Sequence, residues 1–115
     1  MLWQVEYSDE FGEWYGGLSE DEQERVKYVV GVLQNAGPLL GRPLADKVRQ
    51  SRHQNMKELR VQYRGNPIRI LFAFDPRQVA YLILGGTQTG DEDWYGAYVP
   101  VADKIYDQHL GEIGC

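Results

Sequence analysis

The sequence predicts an α+β domain: an antiparallel twisted sheet, made of an amino-terminal strand and a three-stranded meander, packed against amino-terminal helices and followed by a carboxy-terminal helix. Three observations predict it. Apolar and polar residues alternate with period two through Leu59–Tyr63, Ile68–Phe74 and Val79–Leu84, and Arg64-Gly65-Asn66-Pro67 and Asp75-Pro76-Arg77 punctuate these runs as turns. Val26, Val29, Val30 and Leu33 recur at helical spacing behind a Ser19–Glu22 capping pattern. Trp94, Tyr98, Val101 and Ile105 repeat that spacing near the carboxy terminus. At 115 residues and 13.2 kDa the chain fits one domain over residues 1–115 with a single core.

In chain order, Trp3, Val5 and Tyr7 alternate with Gln4 and Glu6, as in a half-buried first strand. Ser8 and Asp9 then cap a short helical turn carrying Phe11, Trp14, Tyr15 and Leu18, interrupted by Gly16 and Gly17. The long helix runs from about Glu20 to Ala36, where Gly37 and Pro38 stop it. Residues 38–56 read as a long loop with a short strand near Ala45–Val48. After the meander, Gly85-Gly86 and the polar residues that follow are expected to form a flexible connection. Asp91 is the expected cap of the last helix, and Pro100 is expected to kink or divide it.

Composition excludes several function classes. No apolar run approaches the roughly 20 residues that span a bilayer. Acidic residues in MLWQVEYSDEF stand where a secretory signal needs a basic patch, so a cytoplasmic protein without membrane contact is expected. Cys115 is the only cysteine and His53 and His109 the only histidines, so no metal centre and no cofactor are expected. No glycine-flanked serine elbow is present, and the glycines at 85, 86 and 90 lack the lysine ending of a phosphate-cradling loop.

The net charge of −5 hides a segregation. Residues 1–41 hold two basic and eight acidic side chains, residues 42–77 nine and three, and residues 78–115 one and six. A local basic surface on an acidic protein can focus a field toward a polyanion.

Period two also sorts the meander into faces. Leu59, Val61, Tyr63, Ile68, Ile70, Phe72, Val79, Tyr81 and Ile83 are expected toward the long helix. Glu58, Arg60, Gln62, Arg69, Leu71, Ala73, Ala80, Leu82 and Leu84 are expected on the other side, whose apolar part needs a cover. Arg60 and Arg69 then border an open groove, where planar guanidinium forks can grip a phosphate. The alternative is a structural ion pair with Glu58 or with acids of the helices. Lys57, Arg64, Arg49 and Arg52 can extend the basic track. Metal-free RNA cleavage needs the 2′-hydroxyl deprotonated, the pentavalent phosphate stabilised and the leaving oxygen protonated. Arg suits the second task; His53, Lys57 or a tyrosine would serve the others.

The run HQNMKELRVQYRGNPIRILFAFDPRQVAYLILGG, followed by TGDEDWY and VPVADKIYDQHL, resembles the RelE/HigB-like toxins of type II toxin–antitoxin modules, especially their phage-derived branch. The likeness covers nearly the whole chain. It implies a small RelE-like domain and a metal-independent endoribonuclease that cleaves mRNA, often on the ribosome. A cognate antitoxin, commonly a small helix-turn-helix protein, would neutralise it and carry any contact with operator DNA. By position, Lys57, Arg60 and Arg69 match the family's basic sheet residues and His53 a polar residue at the start of that strand, giving an expected catalytic set of Lys57, Arg60, Arg69 and His53. Arg49, Arg52, Arg64 and Gln88 make the expected RNA-contacting set. Related toxins carry a lysine after the glycine pair where this chain has Gln88, which removes a phosphate contact or proton donor. The same resemblance admits a catalytically inactive partner of an antitoxin, or a gyrase-targeting toxin.

Overall fold

Ser8 and Ser19 start the two amino-terminal helices for the same reason: each hydroxyl accepts a backbone N–H that a first helical turn leaves without a partner. Ser8 Oγ accepts from Phe11 N at 2.9 Å, and Ser19 and Glu22 close a reciprocal capping box. A computed structural model describes residues 2–88 and 93–114 of the chain. In order they form β1 (Val5–Tyr7), α1 (Asp9–Gly16), α2 (Glu20–Ala36), a 3-10 turn (Gly37–Leu39), β2 (Ala45–Lys47), β3 (Lys57–Tyr63), β4 (Asn66–Phe74), β5 (Ala80–Thr87) and α3 (Trp94–Glu112).

The five strands lie in the order β1-β5-β4-β3-β2. All neighbours are antiparallel except β1 and β5, so the sheet is mixed rather than wholly antiparallel. The parallel pair is possible because the intervening chain is long and carries helices across the sheet. The β3–β4 connection is a two-residue turn in which Arg64 and Gly65 both have positive φ, 49° and 81°. That backbone matches the twist of a hairpin and calls for glycine at its second place.

Helices cover both faces. On one side Phe11, Val26, Val29 and Leu33 of α1 and α2 pack on Leu59, Val61, Ile68, Ile70 and Phe72. On the other, Trp94, Val99, Ala102 and Tyr106 of α3 pack on Leu71, Ala73 and Met56. α3 is thus the cover that the apolar part of the second face requires.

The expected faces of β5 are reversed. Phe74 pairs with Ala80 and Phe72 with Leu82, so Ala80 and Leu82 join the α1/α2 core while Tyr81 and Ile83 join the α3 core. The cause is the Asp75–Val79 loop, closed by Asp75 N–H to Val79 O at 2.9 Å with Gln78 at φ 66°, which adds one residue to the expected turn and flips the side chains from Ala80 to Ile83. A bulge opposite Leu71 and Phe72 then restores Leu84 to register with Leu71.

Gly85 and Gly86 lie inside β5, not in a flexible connection. A Cβ on Gly85 would sit 2.3 Å from Trp14 Cε3 of α1, and one on Gly86 2.7 Å from the Tyr98 ring of α3. Gly85→Ala is therefore expected to lower stability by about 1–3 kcal/mol in urea unfolding, as overpacking does; a neutral result would show that Trp14 can move aside. The last helix is capped by Asp93, whose carboxylate accepts from Gly96 N at 2.9 Å, while Asp91 lies outside the described residues. Pro100 sits within one continuous helix, at the cost of the N–H that would have bonded Gly96 O.

Asp75 anchors the end of the sheet. It is almost wholly buried and accepts from Arg77 Nη2 at 2.7 Å, Arg77 N at 2.8 Å and His109 Nε2 at 2.9 Å. Burial alone would raise its pKa, but these donors outweigh burial and hold it below the ordinary 3.8. A carboxylate depressed in the folded state stabilises above its unfolded pKa, and that contribution disappears as pH falls through the folded value. Asp75→Asn should therefore flatten the acid limb of stability below the ordinary carboxylate value of 3.8, measured by urea unfolding at each pH; an unchanged limb would rule out Asp75 as its source.

Candidate functional site

Period two along β3 and the register of the β3–β4 hairpin decide what meets at the candidate site. Arg60 lies directly across from Arg69, and Glu58, two residues earlier, shares their face. Two like charges directly opposite on neighbouring strands repel. The carboxylate of Glu58, only 3% exposed, lies between them: Oε2 accepts from Arg60 Nη2 at 3.1 Å, and Oε1 is 3.7 Å from Arg69 Nε. Tyr95, in the first turn of α3, donates its hydroxyl to Glu58 Oε1 at 2.6 Å. Burial, then the bond to Glu58, raises the Tyr95 pKa. Asp46 of β2 takes Arg60 Nη2 at 3.1 Å and Arg42 Nε at 3.0 Å.

Donors remain after this pairing. Among the described residues, Arg60 Nε, Arg69 Nε and the indole N–H of Trp94 are buried without a hydrogen-bond partner. Gly86, opposite Arg69 in the sheet, lies beneath the Trp94 and Tyr98 rings, which stack at 4.4 Å and 11°, so the indole N–H lies beside Arg69. The result is a cationic, donor-rich patch clamped by a buried acid, with an aromatic pair at its rim. Such a patch suits an oxyanion: planar guanidinium forks match phosphate, and flat rings match a base.

The other expected residues lie elsewhere. Lys57 shares the parity of Leu59 and Val61, so it emerges on the α2 side of the sheet and donates to Pro38 O at 3.0 Å. His53 Nε2 lies 2.7 Å from Asp107 Oδ1, with its ring edge-on to Tyr106. Arg52 Nη2 reaches Asp107 Oδ2 at 2.6 Å, and Ser51 donates to Asp103 at 2.5 Å. Arg52 and His53 together hold the Asp107 pKa low and fasten the 48–56 loop to α3. Arg49 is exposed on that loop. Arg64, at the hairpin turn, lies over the Tyr63 ring and 3.7 Å from Asp21. Gln88 follows β5, its N–H bonded to Pro67 O at 2.8 Å. The arrangement thus brings Arg60 and Arg69 together and leaves Lys57, His53 and the outlying arginines at separate places. Among the described residues no group of three or more His, Cys, Asp or Glu is arranged to hold a metal.

The family model for phage derived protein Gp49-like matches residues 13–107. This chain belongs to that family. The Gp49-like chain is 46% identical over 98 residues to HigB3 of Mycobacterium tuberculosis, named as a toxin, covering 84% of each. It is 43% identical over 101 residues to HigB2 of the same organism, also named as a toxin, covering 86% of this chain and spanning half of HigB2. A doubly substituted E. coli toxin RelE, solved in the free state, superposes with TM-score 0.56 at 13% identity, covering 98% of this chain and 99% of that one, which shows a shared fold. The Gp49-like chain is accordingly similar in sequence to HigB-type toxins and shares its fold with RelE.

An ion pair with Glu58 is the alternative the sequence offers for the arginines, whereas Tyr95 and Trp94 as their neighbours have no counterpart in the sequence reading. The alternation Glu58–Arg60 carried the first signal. Tyr95 and Trp94 reach the site only because α3 starts beside the Arg69 strand, which no local pattern reveals.

Proposed function

We propose that this Gp49-like toxin is a metal-independent endoribonuclease that cuts mRNA at the Arg60–Arg69 patch, on the ribosome, and is held inactive by a cognate antitoxin of helix-turn-helix type. The observation that carries this reading is the set of three buried donors, Arg60 Nε, Arg69 Nε and Trp94 Nε1, that have no hydrogen-bond partner among the described residues, around two opposed guanidiniums. Buried donors without partners are costly, and phosphate oxygens would satisfy them.

In this reading the guanidiniums turn from Glu58 to the scissile phosphate and stabilise its pentavalent charge. The carboxylate they release takes the 2′-hydroxyl proton. The 2′-oxygen then bonds to phosphorus, the bond to the 5′-oxygen breaks, and Tyr95 protonates the leaving 5′-oxygen. The 2.6 Å bond between Tyr95 and Glu58 returns the proton and resets the pair. In this reading Lys57, His53, Arg49, Arg52, Arg64 and Gln88 take no part in bond cleavage; the exposed Arg49 and Arg64 add positive charge that attracts RNA.

A second reading is a non-catalytic partner of the antitoxin. It is favoured by one observation, that Glu58 already occupies both guanidiniums. Inducible expression with mapping of mRNA ends, with and without ribosomes, separates the two. New ends within minutes of induction are expected; growth arrest with no new ends would overturn the nuclease reading.

A further inference from the structure

β1 is an edge strand, and its pairing with β5 uses only every second residue. Ala80 N–H bonds to Gln4 O and Ser8 N–H to Leu82 O, so the main-chain groups of Val5 and Tyr7 point away from the sheet. A free edge with outward N–H and C=O groups is a template for another strand.

The two sides of this edge differ in chemistry. On the α2 side, Val5, Tyr7, Phe11, Tyr15, Val26 and Val30 line an apolar groove of about 450 Å³. On the α3 side, Glu6, Asp9, Glu10, Glu112, Tyr81 and His109 line a polar pocket of about 360 Å³. Tyr7 borders both.

The pocket asks for a cation. Among the described residues Asp9, Glu10 and Glu112 have no ion-pair partner, and Glu6 has only Arg77, at 2.8 Å. Asp9 and Glu10 suit the first turn of α1, but Glu112 closes α3, where the helix dipole already places negative charge. Tyr81 supplies an independent sign. It is nine-tenths buried, its ring stacks on His109 at 3.5 Å, and its hydroxyl has no hydrogen-bond partner among the described residues although it lines the pocket.

We infer that the outer edge of β1 docks an extended segment of a protein partner in which apolar and basic residues alternate, apolar side chains entering the α1/α2 groove and Lys or Arg entering the Glu6–Glu112–Tyr81 pocket. Period two along an added strand sends successive side chains to these two sides, which matches apolar on one and acidic on the other. The identity of the partner rests on the proposed function: it is the antitoxin. The docking chemistry does not depend on nuclease activity, because this edge is separated from β3 by β5 and β4.

The test uses the whole chain and a synthetic peptide in which four arginines alternate with four valines between terminal glycines, its ends acetylated and amidated. Three competitors accompany it: the same residues rearranged so that all the arginines precede all the valines, an alternating glutamate–valine peptide, and spermidine. The alternating basic peptide is expected to bind most tightly and to slow amide exchange at Val5 and Tyr7. Glu112→Gln with Glu10→Gln, both exposed, should weaken it about tenfold, and Val5→Pro, which removes an outward N–H without breaking a β1–β5 bond and also alters the groove wall, should abolish it in a chain shown to fold. Equal binding of the rearranged peptide or of spermidine, or no protection at Val5 and Tyr7, would overturn the inference. RNA-end mapping reads the nuclease proposal separately, so either can fail alone. The antitoxin itself, added to the Glu10→Gln/Glu112→Gln chain, should lose the same factor; an unchanged affinity would overturn the assignment of the partner.

Discussion

Glu58→Ala is expected to lower the unfolding free energy by about 3 kcal/mol, the largest effect on stability of any single change at the site. The reason is an imbalance, not a lost bond. Arg60 and Arg69 face each other across the hairpin, with side chains 33% and 15% exposed, and among the described residues Glu58 is the one carboxylate that both approach. Removing it leaves two poorly solvated guanidiniums opposed, with Asp46 still on Arg60. It also frees the Tyr95 hydroxyl. Urea unfolding at neutral pH measures the loss, and a double-mutant cycle isolates its source. Adding Arg69→Ala to Glu58→Ala should recover part of the stability, because it removes the repulsion. A loss below about 1 kcal/mol would mean that the guanidiniums turn out to water at little cost.

Arg69→Ala is expected to reduce RNA cleavage by about 10²–10³-fold, in the range found when one preorganised donor to a developing oxyanion is removed. Arg69 is the more buried of the pair and lies beside the Trp94 indole, so its contribution is made in the drier surroundings, where a charge acts more strongly. Arg60→Ala should lose less, because Arg60 is more exposed and shares its charge with Asp46. Both variants must be shown to fold, since each also removes a partner of Glu58. Arg69→Lys keeps the charge but not the planar fork, and should recover only part of the rate. Cleavage undiminished in folded Arg69→Ala would displace the site from this hairpin.

Much of this fold was legible because its signals are local. The Ser19–Glu22 box, the helical spacing to Leu33 and the Arg64-Gly65 turn each act within a few residues, and each element lies where expected. The pairing of Arg60 with Arg69 followed from the same parity. Lys57, expected in the same set from the resemblance, is in step with Leu59 and Val61 and not with Arg60, so it lies on the α2 side of the sheet. The face of β5 was not legible, since it depends on whether the Asp75 loop holds one residue more, and a left-handed Gln78 has no sequence signature. Nor could the partners of His53 be read, because Asp107 lies 54 residues away on α3.

The parallel pairing of β1 with β5 also has a kinetic side. Ser8 donates to Ile83 O across 75 residues, whereas the β3–β4 hairpin closes over two. Chain closure over the longer span carries the larger entropic toll before any contact rewards it. The hairpin bearing Arg60 and Arg69 can therefore assemble early, and the seam between the first strand and β5 should be among the last to zip. In a refolding time course, amide protection at Val61, whose N–H faces β4 whereas that of Arg60 bonds to Leu44 O, would precede that at Glu6 and Ser8.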